Sequence, residues 1–169
     1  MASLTLKGNA CNTSGDLPAA GSKAPGFTLI GADLSEVTLD SFQGKNVVLS
    51  IFPSVDTPVC SVSVKTFNEK AANIDNTVVV NVSMDLPFAQ KRFCGSEGVE
   101  NVTNLSAFRS PQFGSDYGIA IVDGPLTGLF GRAVVVINDQ SEVVYSQLVP
   151  EIAEEPDYDA ALNAVAQTA

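Results

Sequence analysis

Two short runs constrain this chain more than any other feature: "NVVLSIFPS" (46–54) and "TVVVNVSMD" (77–85) are apolar almost throughout and rich in β-branched residues. A strand with one wet face alternates apolar and polar side chains. These runs do not, so both are predicted to be strands covered on both sides. Between them, "SVSVKTFNEKAANI" (61–74) places Val64, Phe67, Ala71 and Ile74 at steps of three and four residues, the period of a one-sided helix. Strand, helix, strand in this order is the repeating unit of a layered α/β sheet with helices on both faces. In such sheets, sites gather at strand carboxyl ends.

The flanking segments extend the same pattern. "LTLKG" (3–7), "FTLIG" (27–31) and "EVTLD" (36–40) read as short peripheral strands separated by turn residues. "LPFAQKRFC" (86–94) opens with a proline as helices do, and the glycine-rich "GSEG" (95–98) should close that helix, placing Cys94 near its end. A short strand is expected around "NVTNLSAF" and a helical turn near "SPQFGSDYG". "RAVVVIN" (132–138) and "SEVVYSQLV" (141–149) should form a hairpin about "NDQ", and "DYDAALNAVAQ" a last helix. No repeat or linker interrupts the order, so residues 1–169 are read as one domain.

What the composition lacks narrows the chemistry. Nineteen acidic against nine basic residues give a net charge of -10, which argues against nucleic acid or an anionic membrane as partner. No run reaches a membrane span, and the opening "MASLTLKGNACNTSGD" does not read as an export signal, so a cytoplasmic protein is expected. Three cysteines are too few for a disulfide framework and point to catalytic, metal-binding or inert thiols. With no histidine, Cys-His and Ser-His hydrolases are excluded and zinc loses its commonest nitrogen ligand. Neither metal nor cofactor is expected.

Against that background "PSVDTPVC" (53–60) stands out. If the strand ends near Pro53 and a helix starts near Thr57 or Pro58, Cys60 falls in its first turn, with Thr57 as candidate N-cap and Pro58 at the first helical position. Main-chain N–H groups there lack helical partners and carry partial positive charge, which favours a thiolate over a thiol. The thiolate is the nucleophilic form, and helix N-termini are among the places where cysteines become reactive. Position alone also fits a buried structural cysteine, and Thr57 could be no more than a cap.

A thiolate without a histidine partner is poorly placed for hydrolysis, and "CSVS" is not the C-x-x-C of disulfide exchangers. Peroxide remains, because an ionised sulfur attacks the O–O bond directly. The departing oxygen then needs donors such as the Thr57 hydroxyl, amide N–H groups or a guanidinium. The sulfenic acid so formed must be captured by a second thiol before further oxidation makes it inert. Cys94 is the candidate; the other reading is a packing residue at a helix end. Cys11, in the polar, turn-like "ACNTSGD", has neither helix start nor adjacent cation and is read as nonessential. "IVDGPLTGLF" (121–130) could be a hydrophobic wall favouring bulky organic peroxides, a piece of core, or a dimer contact.

These residues carry a resemblance. "PSVDTPVC" resembles the P-x-x-x-T-x-x-C signature of peroxiredoxins, while "DLPFAQKRFCGSEG" and "SQLVPEI…EPDYDAAL" are similar to the bacterial thiol peroxidase subfamily; the likeness runs from about residue 3 to residue 166. It implies a thioredoxin-like α/β fold, a central mixed sheet flanked by helices with an N-terminal β-hairpin. It also implies a thiol-dependent, antioxidant peroxidase that is a homodimer, acts on hydrogen peroxide and organic hydroperoxides, and is reduced by thioredoxin. Pro53, Thr57 and Cys60 match the active-site motif, with Cys60 peroxidatic. Cys94 matches the resolving cysteine of an intrachain disulfide, and Arg132 the active-site arginine. Arg132 fits that role physically, since a guanidinium starting a buried strand needs an anion; an ordinary ion pair is the alternative. Arg92, Arg109 and Lys65 are read as solvated charges. A peroxide sensor signalling through the same disulfide is a second function compatible with these residues. Cys11 is no part of the family's catalytic pattern.

A disulfide needs the two Cα atoms within about 7 Å, yet peroxide needs room beside Cys60. Oxidation is therefore expected to unwind the start of the Cys60 helix, the segment around Cys94, or both, with Gly95 and Gly98 easing the change.

Overall fold

The computed structural model describes residues 1–71 and 73–168. Its chain opens with a two-stranded antiparallel ribbon, β1 (Ser3–Leu6) and β2 (Asn9–Asn12), turned at Lys7 and Gly8, which both have positive φ. That is the turn geometry whose twist matches a two-residue hairpin. The ribbon is the N-terminal hairpin that the resemblance implies, although β2 is not among the strands that the residues by themselves suggest. Its residues are polar and turn-like in sequence, but pairing with β1 brings Cys11 opposite Leu4 and buries both.

Next come β3 (Thr28–Ile30), β4 (Glu36–Thr38), a 3₁₀ turn (Leu39–Phe42), β5 (Asn46–Ile51), α1 (Pro58–Ala71), β6 (Thr77–Ser83) and α2 (Pro87–Glu97). The second half adds β7 (Val102–Ser106), α3 (Gln112–Asp116), β8 (Ala133–Ile137), β9 (Val143–Leu148) and α4 (Tyr158–Ala166). The sheet order is β4-β3-β7-β6-β5-β8-β9, with β5, β6 and β7 parallel and the outer neighbours antiparallel. This mixed sheet flanked by helices, with its N-terminal ribbon, is the thioredoxin-like architecture implied by the resemblance. Residue 72, inside the stretch expected to be helical, lies outside the described residues. Ile74 falls beyond α1 and is half-buried.

Every residue of β5 and of β8 is buried, as expected of strands apolar throughout (β8) or almost throughout (β5). One face of the sheet, including Val48, Val79, Val134 and Val136, packs on Phe67 and Ala71 of α1 and on Ala161 and Val165 of α4. The other face, including Leu49, Ile51, Val80, Val82 and Val135, packs on Phe27, Phe113 and Tyr117. Each such aliphatic side chain contributes roughly 1.5–3 kcal/mol on full burial, so the central strands are rigid. Their carboxyl ends, where β5 and β6 hand the chain to α1 and α2, form a fixed floor for chemistry.

Candidate active site

The site begins where β5 stops. After Ile51 the chain passes through buried Phe52 and Pro53, turns, and enters α1 at Pro58. The first helical main-chain bond runs from the Ser61 N–H to the Thr57 carbonyl, so the N–H groups of Val59 and Cys60 precede the ladder. Thr57 thus occupies the capping position by its main chain, but not by its side chain: its hydroxyl donates to the Ser54 carbonyl at 3.0 Å instead of accepting from a helix amide. The tight turn at 54–57, closed also by the Thr57 N–H to that same carbonyl, draws the hydroxyl back toward Ser54. Its proton is committed there, and its lone pairs remain able to accept.

Cys60 is fully buried, among Phe52, Val55, Val64, Phe93 and Val99. Facing it is Arg132, 2% exposed. β5 and β8 run antiparallel with Ile51 opposite Ala133, so the residue just before β8 reaches the carboxyl end of β5, where α1 starts. There Arg132 Nη2 donates to Cys60 Sγ at 3.2 Å and Nε donates to the Ile152 carbonyl at 2.9 Å, while buried Nη1 has no partner. Among the described residues no carboxylate lies within ion-pair reach of this guanidinium. The ordinary ion pair considered from sequence is replaced by a sulfur.

The Ile152 carbonyl is itself held in place. The Thr5 N–H donates to Pro150 and the Ile152 N–H to the Thr5 carbonyl, so β1 pairs with this segment. The Glu151 carboxylate accepts from the Thr5 hydroxyl (2.7 Å) and from the N–H groups of Lys7 (2.9 Å), Gly8 (3.1 Å) and Ala153 (3.1 Å). These donors, the Thr5 hydroxyl foremost, depress its pKa to about 2. The N-terminal ribbon therefore braces the arginine from behind.

Sequence reasoning missed Asp85. From the end of the β6 run its carboxylate accepts from the Ser54 hydroxyl (2.7 Å), the Val55 N–H (2.9 Å) and the Ser83 hydroxyl (2.6 Å), clamping the turn before Cys60. Gln90 of α2 donates to the Ser83 hydroxyl and the Leu105 carbonyl, tying α2 to the same cluster. The signal was present in "SMD" at a strand's carboxyl end, beside the strand that leads to Cys60.

Cys94 sits in the last turn of α2, half-buried, and packs on the hydrophobic cluster that contains Cys60. All three cysteines are unbonded. α2 runs past Gly95 and ends at Gly98, whose φ of 66° gives a left-handed cap and whose N–H returns to the Cys94 carbonyl. Burial pushes the Cys94 thiol up, an effect that a hydrogen bond from the Asn104 side chain (2.9 Å) opposes. Arg92 and Arg109 are exposed and Lys65 is half-buried, and they pair with Asp56, Glu36 and Glu97 respectively. The Arg92–Asp56 pair joins α2 to the turn before Cys60.

Cys11 is buried with Leu4, Ile121 and Ile152, and its thiol is pushed up by that burial and by the Asp123 and Glu151 carboxylates. The 121–130 stretch belongs to this region and to the core, with Ile121 and Phe130 buried. Asp123 fastens it to β2 through the main-chain and side-chain N–H groups of Asn12, both at 2.7 Å. It lines a cavity of about 130 Å³ with Cys11 rather than a wall beside Cys60. A groove of about 360 Å³ lies against the start of α1, between Pro58, Val59 and Val62 on one side and Ala153, Glu154 and Glu155 on the other.

A protein-family model described as Redoxin matches residues 19–162. Thiol peroxidases of Mycobacterium bovis and Mycobacterium tuberculosis are each 61% identical to this chain over 165 residues, 98% of its length and 99% of theirs. A solved peroxiredoxin-like protein from Aquifex aeolicus superposes with a TM-score of 0.94 at 42% identity, covering 99% of this chain and 97% of its own. A thiol peroxidase from Chromobacterium violaceum gives 0.90 at 21% identity, covering 98% and 96%, a likeness of fold.

Proposed function

Because the chain belongs to the Redoxin family, with thiol peroxidases among its near relatives, we propose that it reduces hydrogen peroxide and organic hydroperoxides with Cys60 as the attacking thiolate. The observation that carries this is the buried guanidinium of Arg132 with one N–H on Cys60 Sγ and Nη1 unspent. Nη2 donates to the sulfur, and Nη1 is a donor for a peroxide oxygen beside it. The Thr57 oxygen, its own O–H donating to the Ser54 carbonyl, accepts a hydrogen bond from the hydroperoxide O–H and orients it. Attack forms the S–O bond and breaks O–O, the hydroxyl proton staying on the sulfenic acid; the departing alkoxide or hydroxide takes a proton from solvent and leaves as alcohol or water. Phe52, buried in one cluster with Cys60, keeps bulk water off the reacting sulfur, and buried Pro53 follows it into the turn before α1.

Cys94 then captures the sulfenic acid as an intrachain disulfide, which thioredoxin reduces. Both cysteines stand within regular helix, so closing the bond unwinds the first turn of α1, the last turn of α2, or both. Thioredoxin as reductant, a homodimeric state and a cytoplasmic setting rest on the same family likeness, and among the described residues no helix is long and apolar enough to cross a membrane.

Mass spectrometry after one equivalent of hydroperoxide tests the scheme: loss of two protons with a Cys60–Cys94 crosslinked peptide is expected. Persistent Cys60 sulfenic acid with Cys94 free would reject the resolving role. Cys60→Ser should abolish peroxide consumption. Cys94→Ser should keep a first turnover and lose cycling with thioredoxin.

A further inference from the structure

Two asparagines stand side by side in the buried part of the sheet. Asn81 of β6 is fully buried, and the parallel register places it directly opposite Asn104 of β7. Their neighbours along the strands are Val79, Val80, Val82 and Ser83 on β6 and Val102, Thr103, Leu105 and Ser106 on β7. Amide side chains in such surroundings are costly unless each polar group is satisfied, and a valine pair would pack there without that cost. The hydrogen bonds run one way: Asn81 Nδ2 donates to Asn104 Oδ1 at 3.0 Å, and Asn104 Nδ2 donates to Cys94 Sγ at 2.9 Å. Asn81 Oδ1 is left buried without a partner. A pair present only to fill the sheet would satisfy both amides; this one ends with the Asn104 donor on a sulfur.

We propose that Asn104 is a catalytic residue of the resolving step, donating an N–H to Cys94 Sγ as it becomes a thiolate, and that Asn81 is a positioning residue that fixes the Asn104 amide with its N–H toward the sulfur. The proposal rests on Cys94 being the resolving thiol. In that step the Cys94 thiolate attacks the sulfur of Cys60 sulfenic acid. The S–S bond forms as the S–O bond breaks, and hydroxide leaves and takes up the proton lost by Cys94. The N–H lowers the cost of ionising a half-buried thiol, countering burial, which pushes that thiol up.

β6 and β7 carry no ionisable side chain. Of the charged groups on α2, Arg92 and Glu97 are engaged with Asp56 and Lys65, Lys91 is exposed, and Lys65 is the cation α1 contributes to the Glu97 pair.

The test is single turnover of the full-length protein with one equivalent of hydrogen peroxide from pH 6 to 9. Sulfenic acid is trapped with dimedone and disulfide is counted by acid quench and mass spectrometry. For Asn104→Leu, similar in shape but without the donor, the ratio of the disulfide-forming rate to the sulfenic-acid-forming rate should fall at least tenfold at pH 7. Its pH profile should move to higher pH. Asn104→Asp, which puts an anion against the sulfur, should fall further, and Asn81→Val should fall about threefold. An unchanged ratio and pH profile in both Asn104 variants overturns the proposal, and if one of them does not fold the other decides alone. Absence of a Cys60–Cys94 disulfide in the unsubstituted protein would instead remove Cys94 as resolver.

Discussion

Arg132 Nη2 stands 3.2 Å from Cys60 Sγ, although 72 residues separate the two in sequence. The contact is made by sheet register, and its other anchor is the Ile152 carbonyl. Arg132→Met should therefore lower the second-order rate constant with hydroperoxide by about 10²–10³-fold, the usual cost of losing one preorganised donor. Arg132→Lys should recover little of it, because an ammonium cannot span both sulfur and carbonyl as a planar fork does. Stopped-flow peroxide consumption measures both.

The Cys94 thiol is pushed above its ordinary value by burial, so near neutrality it is mostly protonated and only its small thiolate fraction can attack. Disulfide formation should accelerate as pH rises from 7 to 9, by nearly tenfold per unit as long as the pH stays below that raised value. A rate that is flat across this range, read by rapid acid quench, counts against thiolate attack by Cys94.

Asp85→Ala removes the acceptor for the Ser54 hydroxyl and the Val55 N–H. Leaving such groups unpaired costs about 1–3 kcal/mol, which urea denaturation should show. Because the freed turn carries Thr57 into α1, peroxide reduction should also slow. Asp85→Asn, which keeps one carboxamide oxygen, should fall between the two proteins in both measurements.

Glu151 has a depressed carboxyl, at about 2, through its bonds to Thr5, Lys7 and Gly8. A depressed carboxylate contributes stability that is complete above its unfolded value near 4.3 and disappears as pH falls toward the folded value. Thermal denaturation should show stability falling between about pH 4.5 and 2, and Glu151→Gln should flatten that fall. Peroxidase activity of Glu151→Gln should drop as well, since the braced segment supplies the carbonyl that orients Arg132.

Much of this protein was legible from neighbours in sequence. The largely apolar, β-branched runs marked β5 and β6, the three- and four-residue spacing marked α1, and Pro58 before Cys60 marked a helix start. Each is a short-range signal, fixed by what a few consecutive residues must bury or leave unpaired. β2 escaped because "NACN" has no apolar alternation of its own; it is a strand because β1 lies beside it. The Thr57 hydroxyl was misjudged because a turn of four residues, not the helix, governs where it points.

The amino-acid order alone thus settled the layered sheet, the position of Cys60 at a helix start and the absence of an imidazole to assist it. Only the tertiary structure decided which distant groups meet there: Arg132 on Cys60, Asp85 under the turn, Asn104 on Cys94, and Glu151 bracing the arginine from the ribbon. The reason is physical. Local structure follows from periodicity within a few residues, whereas these contacts depend on strand register and packing, which the whole core fixes at once.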